Sequence, residues 1–165
     1  MRLYHGSTFI VEKPNLEILN HRTDFGKGFY TTTDIEQAEK WTKIKKERLE
    51  KLQKDANVHR YVNVYEYTEN ESLNILEFSG ATEEWLKFVF QNRTGEMLVH
   101  DYDVIKGPVA NDNLYAVLDF YSKGLYNVQE TVERLKTYKL SNQISFHTAK
   151  SLKCLQYIET IELGG

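Results

Sequence analysis

The sequence has little cysteine, little proline, no long apolar run and no strong excess of one charge. Its one cysteine, Cys154, has no partner for a disulfide within the chain and reads as a small apolar side chain rather than a reactive thiol. Proline occurs only at Pro14, in a loop, and at Pro108, where it stops a strand. No stretch approaches the length that spans a bilayer, and the start Met1-Arg2-Leu3-Tyr4-His5 lacks the apolar run of a signal peptide. A cytoplasmic location without a membrane partner is expected. The 21 basic and 24 acidic residues give a formal net charge of −3, too weak a field for capture of nucleic acid by overall charge.

Common catalytic signatures are missing as well. There is no His-Glu-x-x-His, no Cys-x-x-Cys and no Gly-x-Ser-x-Gly. Gly26-Lys27-Gly28 lacks the third glycine of a dinucleotide fingerprint and the spacing of a P-loop. The five histidines (His5, His21, His59, His100 and His147) do not fall at metal-ligand spacing, which argues against a zinc enzyme.

What is present is a chain of 165 residues, 41% hydrophobic and 13% aromatic, enough to bury a core without disulfide or metal support and to form one domain. Residues 2–5 read as a strand entering Gly6-Ser7, and Phe29-Tyr30-Thr31-Thr32 as a second strand behind Gly26 and Gly28. From Ile35 the pattern turns helical, with Ile35, Ala38, Trp41 and Ile44 on one face, continuing through Leu49 and Leu52. Thr33 with Glu36, or Asp34 with Gln37, forms a capping box. The pairs Glu36/Lys40, Glu39/Lys43, Glu47/Lys51 and Glu50/Lys54 predict a solvated outer face.

Strands are expected over 58–67, 73–78 and 103–105, and again over 144–146 and 157–163. Helices are expected from Thr82, with Trp85, Phe88 and Val89 inward, and from Asn113 as cap, ending near Gly124. A further helix from Asn127 carries Val132, Leu135 and Tyr138, and a short one begins at Thr148. Strands and helices alternate without a regular βαβ rhythm, which predicts an α+β domain with a split, largely antiparallel sheet and flanking helices.

Two segments combine a polar group, a glycine and an aromatic ring near strand ends: Leu3-Tyr4-His5-Gly6-Ser7 and Phe25-Gly26-Lys27-Gly28-Phe29-Tyr30. Taken singly, each reads equally as a strand ending in a turn or a glycine-bent hairpin edge. Together they resemble the NAD-binding motifs of the ADP-ribosyltransferase superfamily, particularly the branch containing the poly(ADP-ribose) polymerases. That resemblance implies that His5 bonds the adenosine ribose and that the Gly6 backbone holds the nicotinamide carboxamide, with Ser7 beside them. It implies that Tyr30, following Gly28, stacks on nicotinamide, while Trp41, eleven residues on, packs on the other side and Ala38 contacts the carboxamide. Trp41 also reads as a core residue of the helix stripe.

The superfamily's third element is often a glutamate opening a late strand. Gln143 is the candidate here, or else an ordinary strand-capping glutamine; Glu159 and Glu162 are fallback carboxylates, and Ser145 and His147 lie nearby. An uncharged Gln143 accepts a ribose hydroxyl but carries no charge for a developing cation, which favours single transfer over polymer synthesis. The implied reaction is mono-ADP-ribosylation with NAD as co-substrate, no metal and a macromolecular acceptor, protein or nucleic acid. The alternatives are NAD glycohydrolysis and an inactive NAD-binding module.

The middle of the chain carries Trp85-x-x-Phe88-Val89-x-x-Asn92-Arg93 and Asp101-Tyr102-Asp103-Val104-Ile105-x-Gly107-Pro108-Val109-Ala110. With these the whole length resembles an uncharacterised bacterial family whose members look like toxins of toxin-antitoxin pairs or phage-defence effectors, which implies a cognate antitoxin as partner. Arg93, Asp103 and Asp112 suit dinucleotide or target contacts, with structural salt bridges as the alternative.

Overall fold

A computed structural model describes residues 1–16, 23–53, 57–95, 98–110, 112–136 and 139–164, the side chains of residues 112–115 excluded. His21, Lys54 and Tyr138 lie outside the described residues, as does the side chain of Asp112. The order is β1 (Arg2–Ser7), β2 (Phe29–Thr31), α1 (Ile35–Leu52), β3 (Arg60–Tyr67), β4 (Ile75–Glu77) and α2 (Glu83–Thr94). It continues with β5 (Val104–Pro108), α3 (Asp112–Ser122), α4 (Val128–Leu135), β6 (Asn142–Phe146), α5 (Ala149–Leu152) and β7 (Leu155–Leu163). The fold is α+β, and no helix among the described residues is long and apolar enough to cross a membrane.

The strands form two sheets, one ordered β1-β3-β7 and the other β2-β6-β5-β4. Every pairing is antiparallel except β4 with β5, which is parallel. The sheets touch through one bridge between Tyr4 and Thr32, where each amide donates to the other's carbonyl at 2.8 and 3.0 Å. Beyond that bridge β1 and β2 part.

Strand alternation distributes the apolar side chains to two cores. Leu3, Phe29, Tyr65, Val104, Ile144 and Phe146 fill a core to which both sheets contribute. On the other face of the second sheet, Phe25 and Ile105 pack with Trp85, Leu86 and Val89 of α2, Val117 and Leu118 of α3 and Leu135 of α4. α1 covers the remaining face of the first sheet.

Local capping explains the helix starts. The Asp34 side chain accepts from the Glu36 amide, Thr82 from Trp85 and Asn127 from Glu130, each filling a donor the first turn leaves unpaired. Thr148 and Ser151 close a reciprocal box on α5. Two expectations need correction. α3 begins at Asp112, one residue before the expected cap Asn113, whose side chain lies outside the described residues. On α1 the buried residues are Gln37, Ala38 and Thr42, whereas Ile44 is exposed: the helix lies close against β1 and turns small side chains inward.

Trp85 is fully buried, and its indole Nε1 donates to the Pro108 carbonyl at 3.0 Å, tying α2 to the end of β5. Trp85→Phe removes part of the ring and that bond, so a stability loss of about 2–4 kcal/mol is expected in urea unfolding. An unchanged midpoint contradicts this assignment.

Candidate functional site

Where the ladder between β1 and β2 ends, backbone polar groups lose their strand partners and need others. In a strand, alternate residues direct their amide and carbonyl to the same side, so those of Gly6 face the way those of Tyr4 do, into the split. The Gly6 carbonyl accepts Lys45 Nζ of α1 at 2.6 Å. On the opposite side of the split, the Tyr30 carbonyl accepts His5 Nδ1 at 2.7 Å. Two side chains thus replace the missing ladder.

The bond to Tyr30 determines the chemistry of His5. A carbonyl only accepts, so Nδ1 carries the proton and Nε2 presents a lone pair. Among the described residues nothing donates to that Nε2, which is buried in a residue 2% exposed whose ring stacks on Phe29 at 4.0 Å. Burial, and then the nearby Lys45 charge, hold the imidazole pKa well below its ordinary value, so the ring stays neutral at pH 7. An enclosed neutral acceptor is costly to leave unmet.

Gly6 has a second reason to be glycine. A Cβ there would lie 2.1 Å from the Ala38 carbonyl oxygen and 3.1 Å from Trp41 Cβ, both on α1. The bare strand lets the helix lie against the mouth of the split, with Ala38 buried and Trp41 half-buried beside it. Ser7 Oγ accepts the Phe9 amide at 3.1 Å and shapes the turn that follows.

The Phe25–Tyr30 segment is braced from behind. The Tyr30 hydroxyl donates to Thr23 Oγ1 at 2.9 Å, lies in short contact with the Gly26 carbonyl and accepts the Phe25 amide at 3.1 Å. Burial pushes its pKa further up, so it remains a neutral phenol. A Cβ on Gly28 would meet His147 Nδ1 and the Phe146 carbonyl, both at 2.8 Å. His147 donates from Nδ1 to the Lys27 carbonyl and accepts from Ser145 Oγ at Nε2, each at 2.7 Å. Burial lowers its pKa to about 4.

Gln143 is 2% exposed, and its Nε2 donates to Asp24 Oδ2 at 2.8 Å and to the Pro108 carbonyl at 3.1 Å. It lines a cavity of about 440 Å³ with Thr33, Ser141, Asn142 and Lys106. His5, Gly6, Ala38 and Trp41 therefore gather with the Tyr30 backbone at the end of β1. The Tyr30 side chain and Gln143 meet the segment 23–26 instead, on the other face of the second sheet, and no hydrogen bond or ring contact among the described residues joins them to His5.

The remaining candidates separate clearly. Glu159 and Glu162 are exposed on β7, which pairs with β3 and not with β1, and Glu162 meets His59 at 3.0 Å. Asp103 is structural: it accepts the Asn74 amide at 2.8 Å and Thr148 Oγ1 at 2.7 Å, bonds that lower its pKa. Arg93 forms an ion pair with the buried Asp24 at 2.6 Å. Sequence reasoning passed over Lys45 and Asp24. Lys45 sits among the lysines of a charged helix, but Asp24 immediately precedes the glycine-bent segment, a position that carried a signal.

Residues 1–157 match a family described as Protein of unknown function (DUF3990). The chain belongs to that family. No curated protein and no solved structure matches it. For this DUF3990 member, the split between β1 and β2 supplies the candidate site.

Buried His5 and half-buried His147 make stability pH-dependent. In the unfolded chain each titrates near 6.5, whereas in the fold His147 does so at about 4 and His5 well below its ordinary value. Both folded pKa values are depressed, so the unfolded state binds protons first as pH falls. Stability is full above about 6.5 and decreases below it. A loss of roughly 2–4 kcal/mol between pH 7 and pH 5 is expected in denaturant titrations, and His147→Gln, which can keep both bonds without titrating, shrinks it. A flat profile contradicts the neutral assignment.

Proposed function

We propose that this chain is an NAD-dependent mono-ADP-ribosyltransferase acting on a macromolecular acceptor, with an ADP-ribosyltransferase-like split-sheet fold. The observation that carries the reading is the buried, unpartnered His5 Nε2 beside a Gly6 whose backbone faces the split. An acceptor fixed in this tautomer suits a ribose hydroxyl, and a glycine amide and carbonyl side by side suit a carboxamide. Both are the roles that the resemblance assigns to these residues.

NAD supplies an anomeric carbon whose bond to nicotinamide breaks with development of positive charge: nicotinamide leaves with the electron pair, and an acceptor nucleophile forms the new bond and loses a proton. The chain's contribution is orientation. His5 holds one ribose, Gly6 orients the carboxamide, and Trp41 flanks it from α1, with Lys45 yielding or sharing the Gly6 carbonyl. The resemblance assigns the second ribose to Gln143, whose amide oxygen is an acceptor but lies on the other face of the second sheet from His5. A neutral acceptor there stabilises a cation less than a carboxylate does, which favours one transfer over chain growth. An antitoxin partner and a toxin or phage-defence role rest on the resemblance alone.

The test is incubation of purified protein with NAD labelled separately on nicotinamide and on adenylate, together with fractionated lysate and nuclease and protease controls. Released nicotinamide with label in a macromolecule is the expected result. His5→Ala lowers the rate at least tenfold, about 1.4 kcal/mol for one lost hydrogen bond. Free ADP-ribose without labelled acceptor identifies a glycohydrolase, and tight binding without release an inactive module. No binding, no release and an indistinguishable His5→Ala variant overturn the proposal.

A further inference from the structure

Position 143 holds glutamine where the resemblance leads one to expect glutamate, and the contacts of Asp24 explain why. Resting on the reading of Gln143 as the third point of the site, we infer that Asp24 is its positioning residue: it sets the Gln143 amide in one orientation and excludes glutamate from that position.

Asp24 is 4% exposed and has its acceptors engaged by three elements. Oδ1 accepts Arg93 Nε of α2 at 2.6 Å. Oδ2 accepts Gln143 Nε2 of β6 at 2.8 Å and the Ala110 amide beyond β5 at 2.9 Å. Its own carbonyl takes Asn92 Nδ2 at 3.2 Å. The second partner of Gln143 Nε2, the Pro108 carbonyl, also only accepts.

A side chain facing two acceptors must bring donors, so the amide nitrogen lies inward and Oε1 is the atom left to the cavity that Gln143 lines. Glutamate at position 143 brings no donor when ionised. It would place carboxylate oxygens against Asp24 Oδ2 and a carbonyl, and the cation paired with Asp24, Arg93, already serves Oδ1. Like charges at that distance do not both ionise. Among the described residues, the charged and titratable groups around the pair are Arg93 of α2, the Tyr30 hydroxyl of β2 and, around the cavity, N-terminal Met1, Glu77 of β4, Lys106 of β5 and Lys136 after α4. The family's usual carboxylate is thus moved one hydrogen bond back: Asp24 carries the charge, and Gln143 presents a neutral acceptor.

The experiment compares Gln143→Glu, Asp24→Asn and the double variant by melting from pH 5 to pH 8 and by nicotinamide release from NAD. A new carboxyl at position 143 has a folded pKa raised above its unfolded value. Its protonated form donates to Asp24 and fits, so stability is kept at low pH and lost as pH rises through the raised value. Gln143→Glu is expected to melt roughly 5–10 °C below the parent at pH 8, with the deficit shrinking toward pH 5. In the double variant the like charge at position 24 is gone and its amide can donate to the new carboxylate at position 143, but the same nitrogen then faces the Ala110 amide, so part of the deficit disappears.

Asp24→Asn removes the charged acceptor of Gln143 Nε2 and leaves the Pro108 carbonyl to hold the amide, so its oxygen is less strictly set, which lowers kcat at least tenfold while KM for NAD stays within about threefold. A Gln143→Glu variant that melts like the parent at every pH, or an Asp24→Asn variant with parental kcat, overturns the inference. If the parent protein releases no nicotinamide, the proposed reaction fails, and the melting series alone still decides whether Asp24 dictates glutamine at position 143.

Discussion

Two strands that pair for a single bridge and then diverge impose the constraint on which the rest depends. Past Tyr4 and Thr32 the carbonyls of Gly6 and Tyr30 face a gap instead of each other's amides. A continuous sheet satisfies such groups at no conformational cost to side chains; here a lysine from α1 and a histidine from β1 do it. Recruiting His5 in this way fixes its tautomer and leaves Nε2 unmet. The unmet atom is a consequence of the split, and it is also the feature that a ligand hydroxyl would complete.

The second sheet carries the complementary half. β2 and β6 pair so that Tyr30 stands opposite Ser145, while Phe29 and Thr31 turn into the core shared by the sheets. Tyr30, Ser145 and Gln143 therefore share one face, reinforced by Thr23, Asp24 and His147. On this face the hydrogen bonds of Tyr30, Gln143 and His147 adjoin the apolar core of Phe25, Ile105 and Trp85, and they rigidify the glycine-bent segment leading into β2. The Tyr30 backbone faces the split while its side chain anchors the loop, so one residue couples the two halves.

Much of this was legible in local pattern. β-Branched and aromatic content with turn residues located the strands among the described residues, and Thr33 or Asp34, Thr82, Asn127 and Thr148 marked helix starts, because capping depends on residues a few positions apart. His5, Gly6, Ala38 and Trp41 do come together. What was not legible depends on contacts distant in sequence. Lys45 resembled its solvated neighbours, and no local rule says which lysine of a charged helix reaches over to a strand end. Asp24 and Gln143, 119 residues apart, reveal their pairing only when the fold joins them. The exposure of Ile44 follows from Gly6, whose missing side chain brings α1 close and rotates small residues inward. The parallel β4–β5 pair likewise has no signature in either strand alone.

The proposed function turns on His5 being a neutral, Nδ1-protonated imidazole whose Nε2 would accept a donor from NAD. Nitrogen NMR of the histidine-labelled protein at pH 7, titrated with NAD, addresses it directly. The account predicts an unprotonated Nε2 resonance for His5 in the free protein that shifts in the hydrogen-bonded direction and saturates as NAD binds. A His5 signal of the charged or Nε2-protonated form, or one unmoved when NAD is saturating, would contradict it.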